Sequence, residues 1–208
     1  MIKVGVHRQL DAELALLEAV ETRPSGVLSH VWQADRPVVV VGRHGRIAAD
    51  VFEEACRADD VAIVRRGSGG GTVVLNEGCV NYAVVLSLAS RPELIDVAAS
   101  FRFILETIAR ALEIDRLSIA GTDLLLNGRK VSGNAQRRGR RAFMQHGTLL
   151  YQFDPAIATR YLKEPARQPA HRDGRRHTEF LGNLPLTADV IQPRLTRAWQ
   201  QLSQSDRR

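Results

Sequence analysis

Residues 65–72 carry the segment on which the expected fold and site both depend, Arg65-Arg66-Gly67-Ser68-Gly69-Gly70-Gly71-Thr72. Apolar runs at Val61–Arg65 and Thr72–Leu75 predict strands on either side, so a loop is expected between them. Consecutive glycines can form a nest of bare N–H groups for anionic oxygens, and arginine offers forked donors suited to phosphate or carboxylate. The competing interpretation is a flexible hairpin loop with solvated arginines. The spacing matches neither the Walker loop nor the dinucleotide fingerprint.

Outward from this segment, apolar spacing predicts several helices, of which Pro92–Leu112 is the clearest because its apolar residues fall on one face. The others are Leu10–Val20, a helix with Asp50 as N-cap that runs to about Arg57, a short helix starting at Asp154-Pro155, and Thr187–Leu202. The segment Lys163–His177 is rich in Pro, Arg and His and is expected to be a long loop.

Strands and hairpins supply the rest of the predicted fold. The additional strands are Gly26–Trp32, Pro37–Val41, Val80–Leu88, a hairpin of Leu124–Leu126 with Lys130–Ser132 around Asn127-Gly128, a hairpin of Asn134–Arg137 with Ala142–Gln145, and Thr148–Phe153. Asn-Gly between apolar runs is a strong hairpin signal. Hairpins rather than regular crossovers favour an α+β fold with a mixed or mainly antiparallel sheet flanked by helices. Because the composition shows no break, residues 1–208 are expected to form one domain.

The bulk composition excludes several classes of protein. No apolar run approaches the roughly 18 residues of a membrane helix, and the N-terminus lacks the apolar core of a signal peptide, so a cytoplasmic protein without membrane attachment is expected. The only cysteines, Cys56 and Cys79, favour neither a disulfide framework nor a zinc site. A net charge of +6 favours acidic partners, whereas an aromatic content of 5% gives little support for nucleic-acid binding.

A second motif spans Gly128-Arg129-Lys130-Val131-Ser132-Gly133-Asn134-Ala135-Gln136. Strand alternation predicts that Lys130 and Ser132 point to one face and Val131 to the other. A lone lysine here would ordinarily be a solvent-facing hairpin residue. Gly133 favours a functional interpretation, since a glycine inside a strand often marks the close approach of a ligand or another backbone.

Two further segments complete the set of candidates. Gln145-His146-Gly147-Thr148-Leu149-Leu150 places polar donors before an apolar strand, although a lone histidine is more often structural than catalytic. Arg137-Arg138-Gly139-Arg140-Arg141 is a charge run at a predicted hairpin tip. It is interpreted either as a solvated turn or as a docking patch for an acidic protein partner.

Together, in this order and spacing, the motifs resemble the lipoate–protein ligase family, part of a superfamily with octanoyltransferases and biotin ligases. Arg65 to Gly71 matches Arg-Arg-x-Ser-Gly-Gly-Gly, Gly128 to Ala135 matches Gly-Arg-Lys-x-Ser-Gly-x-Ala, and His146 to Leu150 matches His-Gly-Thr-Leu-Leu. Asn81-Tyr82 fits the family's Asn-Tyr/Phe position, and Asp123 fits the acidic residue before the lysine hairpin. The resemblance covers about residues 42–153.

The resemblance implies that Lys130 is the central catalytic residue, stabilising charge on the activated carbonyl and phosphate oxygens. For a ligase it implies ATP and Mg²⁺ as cofactors, and for either activity it implies lipoate or octanoate as the acyl substrate. The implied partners are the lipoyl domain of a 2-oxoacid dehydrogenase E2 or the glycine cleavage H protein. A single catalytic domain without a C-terminal accessory domain is expected, so either a separate accessory subunit supplies that part or the enzyme does not activate the free acid itself. The implied substrate- and nucleotide-binding residues are Arg66, Ser68, Gly69, Gly70, Gly71, Thr72, Val73, Val74, Asn81, Asp123, Gly133, Asn134, His146, Gly147 and Thr148.

Two alternatives remain open on the sequence. An octanoyltransferase would carry the acyl group on a cysteine thiolate near Lys130. In octanoyltransferases of this superfamily that cysteine lies either shortly before the lysine hairpin or after the His-Gly segment. Here neither Leu117–Leu126 nor the segment after His146 contains a cysteine, which leaves Cys79 as the candidate nucleophile, with a buried core residue as its competing role. The absence of a cysteine at both of these positions favours the adenylate route. A non-catalytic acyl-binding module is the other alternative, against which the complete Lys130 motif argues.

Overall fold

The structure is a computed structural model that describes residues 5–23 and 26–205. Helices lie mostly at the two ends of the chain, with one long helix in its middle. They are α1 (Val6–Thr22), α2 (Ile47–Asp50), α3 (Glu53–Ala58), α4 (Val97–Leu112), α5 (Pro155–Tyr161), α6 (His177–Phe180) and α7 (Ala188–Ser205). The strands are β1 (Val27–Trp32), β2 (Val38–Val41), β3 (Ala62–Arg65), β4 (Val73–Leu75), β5 (Cys79–Ser87), β6 (Leu117–Ala120), β7 (Asp123–Leu126), β8 (Arg129–Arg138) and β9 (Ala142–Leu150).

The strands form two sheets. The larger is a six-stranded antiparallel sheet in the order β1-β5-β9-β8-β7-β6. The smaller has the order β3-β2-β4, in which β2 runs parallel to β3 and antiparallel to β4. The predicted α+β class with a mainly antiparallel sheet flanked by helices is confirmed.

The two faces of the large sheet are covered differently. Helices α4 and α7 pack on one face, where the rings of Tyr82 and Trp199 stack with centroids 5.8 Å apart. Alternate residues of β5 point to the other face, where Ala83 and Val85 meet Leu17 of α1. Because α1 covers only part of this second face, room remains beside it for a cleft bounded by the small sheet.

The structure corrects several of the predicted helices and strands. Asp50 is the last residue of α2 rather than an N-cap, and its carboxylate accepts a hydrogen bond from Thr72 (2.9 Å). The helix predicted from Pro92 starts at Val97, since Asp96 caps it by accepting the Ala99 N–H at 2.7 Å. A 3₁₀ turn, Pro92–Ile95, precedes it. Strand β6 and helix α6 were not predicted, and α6 begins at the end of the segment expected to be a long loop.

Along the described part of the chain, none of the helices combines the length and the apolar character needed to cross a bilayer.

Candidate active site

A cleft of about 1100 Å³ lies between the α1-side face of the large sheet, the small sheet and the connection after α5. We call that connection, residues 162–177, the strap. Most of the candidate residues from the sequence line this cleft, including the lysine and part of the glycine loop. They are Arg66, Gly70, Gly71, Thr72, Val73, Asn81, Asp123, Lys130, Gly133, Asn134, His146, Gly147 and Thr148. Ser68, Gly69, Val74 and Cys79 are not among the lining residues.

The strand register explains why distant motifs meet. Asn81 pairs with Thr148, Thr148 with Gly133, and Gly133 with Asp123, so these residues form one transverse row across β5, β9, β8 and β7. Directly opposed residues in an antiparallel sheet share a face. Trp32 of β1 extends the row at the Asn81 end. The row forms the floor of the cleft.

A β-bulge determines where Lys130 points. The β7–β8 ladder pairs Leu124 with Ser132 and Leu125 with Lys130, which leaves Val131 as the extra residue. Lys130 therefore shares the cleft face with Gly133, whereas Ser132 is fully buried on the opposite face. The predicted alternation that placed Lys130 and Ser132 on one face was wrong, because it assumed a regular strand.

The ammonium of Lys130 is held by a buried carboxylate. Lys130 Nζ lies 2.9 Å from Asp123 Oδ1, and His171 Nε2 lies 2.9 Å from Asp123 Oδ2. The Asp123 side chain is 5% exposed and that of Lys130 is 25% exposed, so the ammonium still faces the cleft. Asp123 thus orients the lysine, and His171 of the strap orients Asp123. His171 was missed from the sequence because no pattern distinguishes it within a predicted loop.

We expect Gly133→Ala to lower activity without unfolding the protein. A Cβ at Gly133 would stand 2.8 Å from both Cε and Nζ of Lys130, so the flexible lysine tip must move away from its position. Rate measurements together with thermal unfolding check this, with Gly5→Ala as the matched control, since a Cβ at Gly5 meets nothing within 4 Å. Full activity in Gly133→Ala would contradict a need for this lysine position.

Arg66 organises the glycine loop from within. Its Nε donates to Ser68 Oγ (3.1 Å), and its two terminal nitrogens donate to the carbonyls of Val40 (3.2 Å), Gly69 (2.6 Å) and Gly71 (2.8 Å). Burial lowers the pKa of Arg66 to about 10, which leaves it charged at neutral pH. Most of its donors are therefore engaged by the loop. We expect the backbone N–H groups of the loop, more than the Arg66 side chain, to contact a ligand.

A buried hydrogen-bond chain ties the glycine loop to α1. Ser68 Oγ lies 2.5 Å from His146 Nε2, and His146 Nδ1 lies 2.5 Å from Glu13 Oε2. The other carboxylate oxygen of Glu13 accepts the Trp32 indole N–H at 2.9 Å. An ionised carboxylate only accepts, so with Glu13 ionised this arrangement requires the His146 proton to be on Nδ1. Ser68 and His146 therefore support the loop, and Ser68 does so from beneath the cleft surface.

Glu13 is a site residue that the sequence analysis missed, although a signal was present. It is 2% exposed and falls in the buried stripe of α1 with Leu10, Leu17 and Val20. A glutamate on the apolar face of an amphipathic helix requires a buried partner. That partner is His146, which lies 133 residues further along the chain.

The strap closes one side of the cleft and is held by arginines. Arg175 donates to the carbonyls of Gly128 (2.9 Å) and His171 (2.8 Å). Arg172 is buried and donates to Glu164. Burial lowers the pKa of neighbouring His177, an effect that outweighs the attraction of Glu164 for the charged form. The segment predicted as a loop is thus held in place by arginine hydrogen bonds, and it contains a 3₁₀ turn at Ala170–Arg172.

Two of the four arginines of the basic hairpin tip make hydrogen bonds within the fold. Arg137 donates to the Gly67 carbonyl (3.0 Å), and Arg138 donates to the carbonyls of Leu94 (2.7 Å) and Ile95 (2.9 Å). Burial lowers the pKa of Arg138. These two arginines connect elements within the fold, which leaves Arg140 and Arg141 as the exposed pair at the tip.

Cys79 is fully buried, and burial raises the pKa of its thiol to about 12. It packs in an apolar cluster with Leu150 and Phe153. A thiol with this pKa is almost entirely protonated at neutral pH, so it lacks the thiolate that a nucleophile needs.

The fold and the cleft define an α+β domain with a lysine and a glycine loop facing one ligand cavity. A protein-family model described as lipoyl protein ligase A/B catalytic domain matches residues 6–189. The chain belongs to this family, as the motif resemblance predicted.

Relatives carry names of both ligases and transferases. The chain is 32% identical over 136 residues to lipoyl amidotransferase LIPT1, mitochondrial, of Homo sapiens, covering 64% of this chain and 35% of that protein. It is 27% identical over 196 residues to octanoyltransferase LipM of Kyrpidia tusciae, covering 79% and 71%. Against the first five relatives, the chain spans only 31% to 55% of their length.

Solved structures support the fold. A bi-partite lipoate protein ligase of Thermoplasma acidophilum, described with its E2 lipoyl domain, has a TM-score of 0.72 at 21% identity, covering 92% of this chain and 79% of that one. A lipoate-protein ligase A bound with ATP has a TM-score of 0.71 at 21% identity, covering 91% and 78%.

Proposed function

We propose that this chain activates lipoate or octanoate as an acyl adenylate and transfers the acyl group to a lysine of a lipoyl domain. The observation that carries the proposal is the shared cleft, in which the Lys130 ammonium and the backbone of Gly70 to Thr72 face one cavity. The names of the ligase relatives and the ATP-bound neighbour support this assignment.

The proposed chemistry has two balanced steps. The acid's carboxylate oxygen attacks the α-phosphorus of ATP, forming the acyl adenylate and releasing pyrophosphate. The neutral amine of the carrier lysine then attacks the acyl carbonyl, forming the amide and releasing AMP and a proton. Lys130 donates to the oxygens on which negative charge builds up, and the glycine-loop amides supply further donors to phosphate.

Magnesium fits this cleft as a companion of ATP. Among residues 5–23 and 26–205, no group of three or more His, Cys, Asp or Glu side chains is arranged to hold a metal ion. Mg²⁺ in nucleotide sites is usually held by the phosphates, waters and only one or two carboxylates. Asp50 lines the cleft next to Thr72 and is the carboxylate we assign to that role.

An acidic carrier domain suits the cleft's rim. Arg46, Lys163 and Arg167 line the cleft, and the chain has a net charge of +6. Such a surface speeds the encounter with acidic proteins. We propose the lipoyl domain of a 2-oxoacid dehydrogenase E2 as the acceptor, with the glycine cleavage H protein as a second acceptor. A neighbour described with its E2 lipoyl domain supports the first choice.

The test is an assay on an apo lipoyl domain, followed by mass spectrometry of the domain and by AMP release. Lipoate plus ATP should acylate the domain and produce AMP in equal amounts. Acylation only from an octanoyl carrier protein, without ATP, would favour the transferase named among the relatives. Binding of the acid without any acylation would favour a non-catalytic module. Because relatives are longer than this chain, the assay is run with and without the accessory chain of a bi-partite ligase.

We expect Cys79→Ala to retain acyl transfer within about twofold. Cys79 does not line the cleft, and its thiol stays protonated at neutral pH. The small buried side chain costs about 1 kcal/mol of stability when it is truncated. Transfer rates compared at equal folded concentration check this. A loss of transfer above a hundredfold would restore the thioester route.

A further inference from the structure

Asn81 is a buried carboxamide that faces the cleft without a partner. The residue is 2% exposed, yet neither Nδ2 nor Oδ1 has a hydrogen-bond partner among the described residues. Its neighbours across the sheet are Trp32, whose indole N–H is engaged by Glu13, and Thr148. Buried polar groups are nearly always hydrogen-bonded, so an unpaired amide that lines a cavity indicates a position for a ligand group.

The distance from Lys130 to Asn81 suits a particular length of acyl chain. The Lys130 tip lies over Gly133, and Gly133, Thr148 and Asn81 stand on three neighbouring strands. Two strand spacings of about 4.8 Å give roughly 10 Å between the two ends. An extended eight-carbon chain has seven single bonds of about 1.5 Å, and with tetrahedral angles it spans roughly 9 Å.

The polarity of the cleft lining determines the orientation of the bound acyl chain. Asp123, Lys130 and His171 surround one end of the row. Leu10, Trp32, Val40 and Leu75 form an apolar cluster at the other end, and all four line the cleft. An acyl group with its reacting carbonyl at Lys130 therefore extends its hydrocarbon end towards Asn81.

We propose that the Asn81 carboxamide recognises the distal end of the acyl group and favours lipoyl over octanoyl. This inference rests on the proposed function. The ring sulfurs of a dithiolane are polarisable weak acceptors, comparable to a thioether, and can take the Nδ2–H. The terminal methyl of octanoate offers no acceptor and leaves the amide unpaired. Asn81 is thereby a specificity-determining residue at the far end of the cleft from the reacting atoms.

The experiment compares kcat/KM for lipoate and octanoate, each with ATP, in the wild type and in Asn81→Leu. Leucine has the same number and branching of side-chain heavy atoms as asparagine but no donor. We expect a wild-type preference for lipoate of about tenfold, which corresponds to about 1.4 kcal/mol. In Asn81→Leu the preference should disappear, because lipoate turnover falls while octanoate turnover is kept or rises. Thr148→Val is the matched control, since it removes a polar group from the middle of the row and should leave the ratio unchanged.

The outcomes separate this inference from the proposed function. Equal losses for both acids in Asn81→Leu, or no preference in the wild type, would overturn the role of Asn81 while leaving the ligase activity standing. If the wild type produces no AMP with either acid, the proposed function fails. Calorimetric binding of the two acids to the wild type and to Asn81→Leu then decides the role of Asn81 by the same ratio. Wild-type protein that binds neither acid overturns both. The lipoate-to-octanoate ratio of the wild type is measured on the unaltered protein, so this part of the test stands even if Asn81→Leu does not fold.

Discussion

Lys130→Ala is expected to lower kcat for acylation of a lipoyl domain by about 10²- to 10³-fold, the usual cost of removing one donor to a developing oxyanion. The ammonium is pre-positioned by the buried Asp123 carboxylate at 2.9 Å and still faces the cleft. Stability should fall by only about 1 kcal/mol, since Asp123 keeps its contact with His171. Single-turnover rates at saturating ATP and lipoate measure the effect on chemistry.

Two further variants test whether the loss of activity is specific to the Lys130 ammonium. Lys130→Arg keeps the charge but replaces a compact ammonium by a larger planar fork, so it should also lose at least tenfold. Arg102→Ala removes an exposed arginine that pairs with Glu106 on α4, and it should change neither rate nor stability. If Lys130→Ala kept more than half of the wild-type rate, the lysine would have no part in the reaction.

Arg66→Lys is expected to abolish detectable ATP binding and to lower the free energy of unfolding by roughly 2 to 4 kcal/mol, since a lysine cannot replace the bonds of the fork. Arg66 donates to Ser68 and to the carbonyls of Val40, Gly69 and Gly71. A single ammonium has neither the reach nor the planar arrangement to hold them all. The loop's amides would then no longer face the cleft in one fixed arrangement.

Calorimetric titration with ATP and chemical denaturation measure the two effects separately. Arg140→Lys is the matched substitution, because Arg140 is exposed at the hairpin tip and should tolerate the change. ATP affinity within threefold of the wild type in Arg66→Lys would show that charge alone matters at this position. It would also contradict the organising role that the hydrogen bonds assign to the guanidinium.

Elements with strong local signals were predicted closely. The Asn127-Gly128 turn connects β7 and β8 as expected, with both residues at positive φ. The apolar face of the predicted middle helix recurs in α4, where Ile104, Leu105 and Ile108 are fully buried. Errors fell where a local preference was overruled, as at Asp50, which bonds to Thr72 instead of capping a helix.

The site could be predicted only in part, because motifs reveal residue types but not register. Lys130 and Gly133 were singled out from one hairpin, and the cleft brings them together. The face of Ser132 was predicted wrongly, since a bulge at Val131 leaves no signature in a single sequence. His171 lies 48 residues from its partner Asp123, in a segment without periodicity.

The amino-acid pattern by itself determined the α+β class, the hairpins, the glycine loop and the family, because these depend on local spacing and on side-chain chemistry along short stretches. Only the tertiary structure decided which carboxylate holds Lys130, which buried glutamate orients His146, and where Asn81 stands relative to both. The physical reason is that register, bulges and buried hydrogen bonds are set by packing between strands far apart in the chain.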